Sequence, residues 1–366
     1  MKKQWLGVGL AAMLVWGAHA HAQTAKQPIR GLVAMGDVSF AWKGGTPSQA
    51  MSEINRHPGV YAGAVINVKW AQIEPAEGRF DFGAIDEGLK AIASYNQHHA
   101  ATPVTGKLRV HTANGTPAWA LAIGGVKGGV PIGTKHEGQV GAYWSAETGA
   151  AWTKLQEALA AKYDADPRIA EVTIESCSST GGEPFRTAVD IESLTNMRRL
   201  TPAFSDAQAE ACFRRAPKEY AAWKRTLLDY TFNQFQATDG CTAAKPTGCV
   251  VMNPKIATEI MERFRAEYGA RAVLANHDLA GELPSALMTF YPEIQKLGGA
   301  VEYQTLNTGL SYGEMCASLN TGMAYGMTEF ELHETKEAGG GGSPLGMGEL
   351  MRLREQFKGG KAVDCR

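Results

Sequence analysis

Short apolar, β-branched runs alternate with longer stretches of helical periodicity along this chain, and that alternation limits its fold more than any other feature. Strands are expected over 29–35, 62–70, 107–111, 169–175, 249–252, 271–275, 300–305 and 327–332. Apolar residues at helical spacing between them predict helices over 82–95, 150–163, 218–235, 254–268, 284–297, 312–324 and 345–357. Eight strands, seven of them followed by a helical stretch, point to an α/β fold, a closed (β/α)8 TIM barrel. An open doubly wound sheet is the competing arrangement. It would place a Gly-rich phosphate turn after the first strand, whereas Gly36-Asp37-Val38-Ser39 stands there. The chain has 366 residues, against about 250 for a typical barrel, so long βα loops are expected within one domain.

Residues 1–22 are set apart from the domain spanning 23–366. A basic head, Met1-Lys2-Lys3, precedes an apolar run from Trp5 to Gly17 that is short for a bilayer span. Ala18-His19-Ala20-His21-Ala22 then offers small residues for cleavage after Ala20 or Ala22, the pattern of a secretory signal peptide. An uncleaved anchor helix is the alternative. Export to the periplasm or the medium follows from the first reading, with no membrane attachment after cleavage. Lys+Arg number 36 and Asp+Glu 37. Such a balanced chain has no global field to attract nucleic acid. Nothing in it specifies an oligomeric state.

In an oxidising compartment six cysteines are read as disulfides. No C-x-x-C or nearby His pair gives them metal-ligand spacing. Cys241 and Cys249 bracket a Pro/Gly-containing loop and are the first pair expected. Cys177 with Cys212 would staple one long insertion, and by elimination Cys316 with Cys365 would hold the tail. Gly339 to Ser343 (GGGGS) reads as a rim loop before the last helix.

Barrels of this type carry their sites at the C-terminal ends of the strands. Those ends hold Asp37, Trp70, His111 with Asn114, Glu175 with the loop to Glu183, Asn253, Asn276 with His277 and Asp278, Gln304, and Glu329, Glu331 and His333. There is no nucleophile elbow, no H-E-x-x-H and no phosphate-cradling Lys loop. His277 beside Asp278 is a common satisfied loop pair, so no metal is expected. Carboxylates with aromatic walls suit glycoside hydrolysis, which needs an acid, a base or nucleophile, and flat surfaces for sugars. Trp70, Trp119 and Trp144 are the candidate platforms, or simply core. His111, Asn114, Asn276, His277 and Gln304 are candidates for sugar hydroxyls. No cofactor is implied.

The segment from Trp70 to Asp86, WAQIEPAEGRFDFGAID, resembles the W-x-x-I-E-P-x-x-G-x-F-D-F-x-x-I-D signature after the second strand of many barrel glycosidases. It is similar to the catalytic domain of the family forty-two β-galactosidases and to the wider clan of retaining glycosidases. Leu108-Arg109-Val110 through Thr116-Pro117-Ala118-Trp119 resembles the same group's third-strand region. The resemblance covers at most about a quarter of the mature chain.

It implies an acid/base Glu after strand four, commonly in Asn-Glu-Pro, and a nucleophilic Glu at the end of strand seven. Here Gly182-Glu183-Pro184 departs from the first pattern, and Glu183 lies well past Glu175. Glu183 is favoured as acid/base, with Glu175 in reserve. Glu302 matches the nucleophile position, or else it pairs structurally with Arg109. Glu331 is the substitute nucleophile. The expected activity is that of an exported glycoside hydrolase on an oligo- or polysaccharide, by a two-carboxylate mechanism that retains the anomeric configuration. The alternative is a catalytically silent barrel that binds polysaccharide or supports envelope or exopolysaccharide assembly.

Overall fold

The computed structural model describes residues 24–36, 49–133, 138–179, 184–185, 190–285, 287–333 and 345–365. Asp37, Glu183, the 1–22 leader and the 339–343 glycine run lie outside the described residues. Eight parallel strands close a barrel. They are β1 (Gly31–Gly36), β2 (Gly63–Lys69), β3 (Thr105–His111), β4 (Ile169–Thr173), β5 (Leu227–Thr231), β6 (Ala272–Leu279), β7 (Ala300–Thr305) and β8 (Glu329–His333). Pairing of β1 with both β8 and β2 completes the ring.

An outer ring is formed by α1 (Gln49–Arg56), α2 (Gly83–His98), α3 (Ala146–Tyr163), α4 (Asp206–Arg215), α5 (Pro254–Tyr268), α6 (Tyr291–Leu297), α7 (Tyr312–Ala324) and α8 (Met347–Gly359). The helix starts are chemically marked. Ser145 caps α3 by accepting the Thr148 N–H, and Asn253 caps α5 ahead of Pro254. Ser311 and Glu314 form a capping box on α7. The Ile85, Leu89 and Ile92 stripe of α2 is buried, as its spacing requires.

Strand residues alternate between two environments. Leu108, Val110, Leu228, Tyr230, Val301, Tyr303, Phe330 and Leu332 belong to the large apolar cluster between barrel and helices. Residues of the other parity line the barrel interior. Near the strands' N-terminal ends these are apolar, including Ile29, Val33, Val65, Leu227, Val273 and Ala300. Above that floor the interior is charged.

Three expectations are corrected. Residues 218–235 do not form one helix: a short 3-10 turn, Ala216–Tyr220, leads into strand β5. The run Leu227 to Phe232 is buried on both faces. Tyr220, Trp223, Leu227 and Tyr230 fall at helical spacing, which allows the helical reading although Leu228 to Phe232 alternates as a strand. The fifth barrel strand is therefore not 249–252. Val251–Asn253 instead pairs with Phe235–Ala237 in an outer two-stranded ribbon, with Val251 63% and Met252 46% exposed. The helix expected over 284–297 shortens to α6. The three disulfides are Cys177–Cys212, Cys241–Cys249 and Cys316–Cys365, the pairs read from the sequence.

Candidate active site

The third strand sets the interior chemistry. Lys107, Arg109 and His111 alternate along β3 and face inward, because Lys107 and Arg109 reach across to Glu329 and Glu331 on the non-adjacent β8. The facing carboxylates are Glu171, Glu175, Asp229, Glu302, Glu329 and Glu331. Lys107, Arg109 and these six carboxylates are each no more than 2% exposed. Lys107 Nζ lies 2.9 Å from Asp229, 2.5 Å from Glu329, and 3.6 Å from both Glu171 and Glu331. Arg109 holds Glu331 with two hydrogen bonds of 2.7 and 2.9 Å, and its Nε lies 3.5 Å from Glu175.

Two permanent cations cannot neutralise six carboxylates, so some carboxyls hold protons. Burial, reinforced by Glu171, pushes Glu329 well above the ordinary range. Burial also raises Glu171 and Glu302; Lys107 opposes it at both, joined by His277 at Glu302. Glu331 goes the other way. Burial would raise it, but the Arg109 guanidinium pulls it to about 2. Two carboxyls on neighbouring strands are thus driven apart in acidity. Such divergence marks a group able to donate beside one that stays ionised.

The upper layer carries imidazoles and amides. His277 Nε2 sits 3.3 Å from Glu302 Oε2 and 3.3 Å from the Thr231 hydroxyl. His111 touches Asn67 Oδ1 through Nε2 at 3.0 Å, and its Nδ1 is 4.0 Å from Glu175 Oε2. Burial, then the nearby Arg109, lowers His111 to about 3, so it is neutral. Gln304 reaches His333 at 3.3 Å. Glu175 stands two residues beyond the end of β4, and its backbone N–H donates to the Tyr220 hydroxyl. Among the described residues no group of three or more His, Cys, Asp or Glu side chains is arranged to hold a metal ion.

The candidates read from the sequence separate into groups. Glu175, Glu302, Glu331, His111, His277 and Gln304 converge on the upper barrel interior. Glu302 faces His277, and the partner of Arg109 is Glu331 instead. Asn276 points away from this interior. Its amide donates to the Phe232 carbonyl, and its oxygen accepts from Tyr291 and Asp278. Trp70 is 1% exposed, donates to Glu74 and packs edge-on against Trp119 and Trp152, a core position rather than a sugar platform. Trp119 is half-buried and donates to the Glu74 carbonyl. The Asn114 backbone lies in the turn Ala113–Gly115. A small cleft between the barrel and α3 is lined by Trp70, Thr112, Tyr143, Trp152, Ser176 and Glu219.

Lys107, Asn67, Glu171 and Asp229 were not anticipated. Their signal was present: polar residues two apart in Lys107-x-Arg109-x-His111 and Glu171-x-Thr173-x-Glu175, where a strand sealed by helices should be apolar on both faces.

No family model matches the chain, and no curated protein sequence matches it. Solved structures do share the barrel. The chain is similar to an exo-β-1,4-mannosidase from Opitutaceae bacterium strain TAV5, with 11% identity over 94% of this chain and 63% of that one and a TM-score of 0.50. It is also similar to a β-galactosidase from the psychrophilic Marinomonas ef1, with 11% identity over 90% and 59% and a TM-score of 0.48. The third is the catalytic domain of the major endoglucanase from Xanthomonas campestris pv. campestris, with 13% identity over 92% and 98% and a TM-score of 0.45. These likenesses concern the fold.

Proposed function

We propose that this protein is a glycoside hydrolase acting on an oligo- or polysaccharide, with Glu175 and Glu302 as its working carboxyls. One observation carries the reading: buried carboxyls project into the upper barrel from β7 and from the end of β4, each beside an imidazole. The barrel glycosidases it resembles in fold support the substrate class. In a retaining mechanism Glu302 attacks the anomeric carbon while Glu175 gives its proton to the leaving oxygen. Water then cleaves the glycosyl ester, and Glu175 takes the water proton. Three disulfides fit an oxidising compartment, in keeping with export to the periplasm or the medium. Among the described residues no helix is long and apolar enough to cross a membrane.

Turnover of a glycan panel by the wild type and by Glu302→Gln, Glu175→Gln and Glu183→Gln tests this. Glu302→Gln should abolish turnover and leave the fold intact. Glu175→Gln should slow substrates with poor leaving groups by about 10²–10⁴-fold and activated aryl glycosides far less. The same leaving-group dependence in Glu183→Gln alone would move the acid/base to Glu183. Because Glu302 must be ionised to attack, kcat/KM should rise with pH through its elevated value. The acid limb then lies above the ordinary glutamate value of 4.5. Polysaccharide binding with no turnover by any variant or by the wild type would instead identify a silent, sugar-binding barrel.

A further inference from the structure

Glu175 stands beyond the end of β4, and its backbone is held there by groups outside the strand ladder. One residue earlier, the Ile174 N–H still donates to the Asp229 carbonyl of β5 at 2.7 Å. At Glu175 the N–H turns instead to the Tyr220 hydroxyl at 3.0 Å, and the carbonyl accepts from the Thr112 hydroxyl at 3.0 Å. Two residues on, Cys177 is bonded to Cys212. Cys177 has φ 68°, in the left-handed region where a Cβ crowds the backbone. A residue stays there only when its surroundings hold it. Cys212 and Tyr220 belong to one unit, α4 and the 3-10 turn that follows it, and both are fully buried. The Tyr220 oxygen also accepts from Trp152 Nε1 at 3.1 Å, which ties this hydroxyl to the core independently of Glu175.

The α4 unit thus grips this segment twice, at the Glu175 N–H and at residue 177, while Thr112 beside the end of β3 grips the carbonyl between them. Glu302 is set differently. It lies within β7, paired with Ala275 of β6 on one side and Glu329 of β8 on the other, so the barrel itself fixes it. A carboxyl that delivers a proton to a leaving oxygen tolerates little displacement, since about 1 Å can cost about 10²-fold in rate. We propose that the Cys177–Cys212 disulfide and the Tyr220 hydroxyl form the positioning device of Glu175, so that the chain gains a competent acid/base only once this disulfide has formed. This rests on the glycosidase reading above. Forming the bond passes two electrons and two protons from the two thiols to an exchanging disulfide, which leaves as a dithiol; an oxidising compartment supplies that class of oxidant. The dithiol form is then a folded barrel with its nucleophile in place and its acid misplaced.

Two measurements on the full chain test the inference. The first compares the wild type with Cys177→Ser/Cys212→Ser, with Tyr220→Phe, and with Cys316→Ser/Cys365→Ser, a control that opens the tail disulfide instead. For a substrate with a poor leaving group, kcat/KM should fall by about 10²-fold in the first two variants and not in the control. For an activated aryl glycoside, which needs little proton donation, kcat/KM should change by less than about threefold in all of them. Equal losses on both substrates, or a lower melting temperature with the ratio unmoved, mean a merely structural disulfide and overturn the proposal. The second measurement needs no turnover. Amide hydrogen exchange over 175–177 should quicken by about tenfold or more in Cys177→Ser/Cys212→Ser, with β7 unchanged. Unchanged exchange over 175–177 overturns the proposal whatever the activity. If the Ser pair does not fold, the substrate ratio in Tyr220→Phe decides. Leaving-group dependence in Glu183→Gln with none in Glu175→Gln also overturns it, and leaves the glycosidase reading standing. A wild type that turns over no glycan sinks that reading and the proposal together.

Discussion

Arg109 is the residue on which the upper interior depends. It bonds Glu331 bidentately and reaches Glu175, and all three are buried. Removing one member of a buried pair leaves a bare charge in low dielectric, which costs about 3–5 kcal/mol. Arg109→Met should lower stability by that amount in chemical denaturation. The double variant Arg109→Met/Glu331→Leu should recover most of the loss, because an apolar replacement of the whole pair is often neutral. A loss below about 1 kcal/mol for the single variant would mean that the site relaxes to admit water. The sequence marked Arg109, Glu175, Glu302 and Glu331 as charged residues on strands expected to be buried. It did not reveal which touches which. Arg109 meets β8 rather than β7 because cross-barrel contacts depend on closure and stagger, and no spacing along the chain encodes these.

At the level of elements, what could be read followed local chemistry. Helix α2 shows its apolar stripe, α5 begins at Asn253-Pro254, and β3 and β7 stand where their apolar alternate positions put them. Strand β5 was hidden because Leu227 to Phe232 is apolar on one face and lines the floor and charged interior on the other. Helix α3 gives a test in which element and context disagree. Gly149 lies within this helix, and Gly→Ala in an open helix interior gains about 1 kcal/mol from propensity. A Cβ at 149 would lie 2.5 Å from Glu219 Oε1 and 2.7 Å from Arg215 Nε. Those atoms form the 2.7 Å Arg215–Glu219 pair between the end of α4 and the Ala216–Tyr220 turn, packed against Gly149. Gly149→Ala should therefore destabilise, by about 1–3 kcal/mol as overpacking does. A raised melting temperature would show that the turn moves aside freely.

Across the whole molecule, the barrel stores more acid than it can ionise, and this sets its response to pH. In the barrel interior the carboxyls of Glu171, Glu302 and Glu329 are raised in the fold, as burial also raises Glu219 outside it. A raised acid contributes stability that is fully present below its unfolded pKa and is lost as pH climbs toward the folded value. Neutral His111 and His333 act oppositely. Burial lowers both, so their contribution is present above the ordinary histidine value of 6.5 and is lost as pH falls. Glu331, at about 2, loses its share only in strong acid. Stability should therefore peak between mild acidity and neutrality. Glu329 isolates one term of this balance. It lies 2.5 Å from Lys107, yet Glu171, Glu302 and Asp229 crowd the same cation. Glu329→Gln copies the protonated form and cannot ionise in the unfolded chain. Relative to wild type, the variant should gain stability as pH rises from about 5 to about 8, by at most about 1.4 kcal/mol per pH unit. Melting temperatures of both proteins across that range check the sign. A difference that stays constant would mean that Glu329 is ionised in the fold. The Lys107 ammonium would then neutralise it outright, and the surplus protons would reside on Glu171 and Glu302 alone.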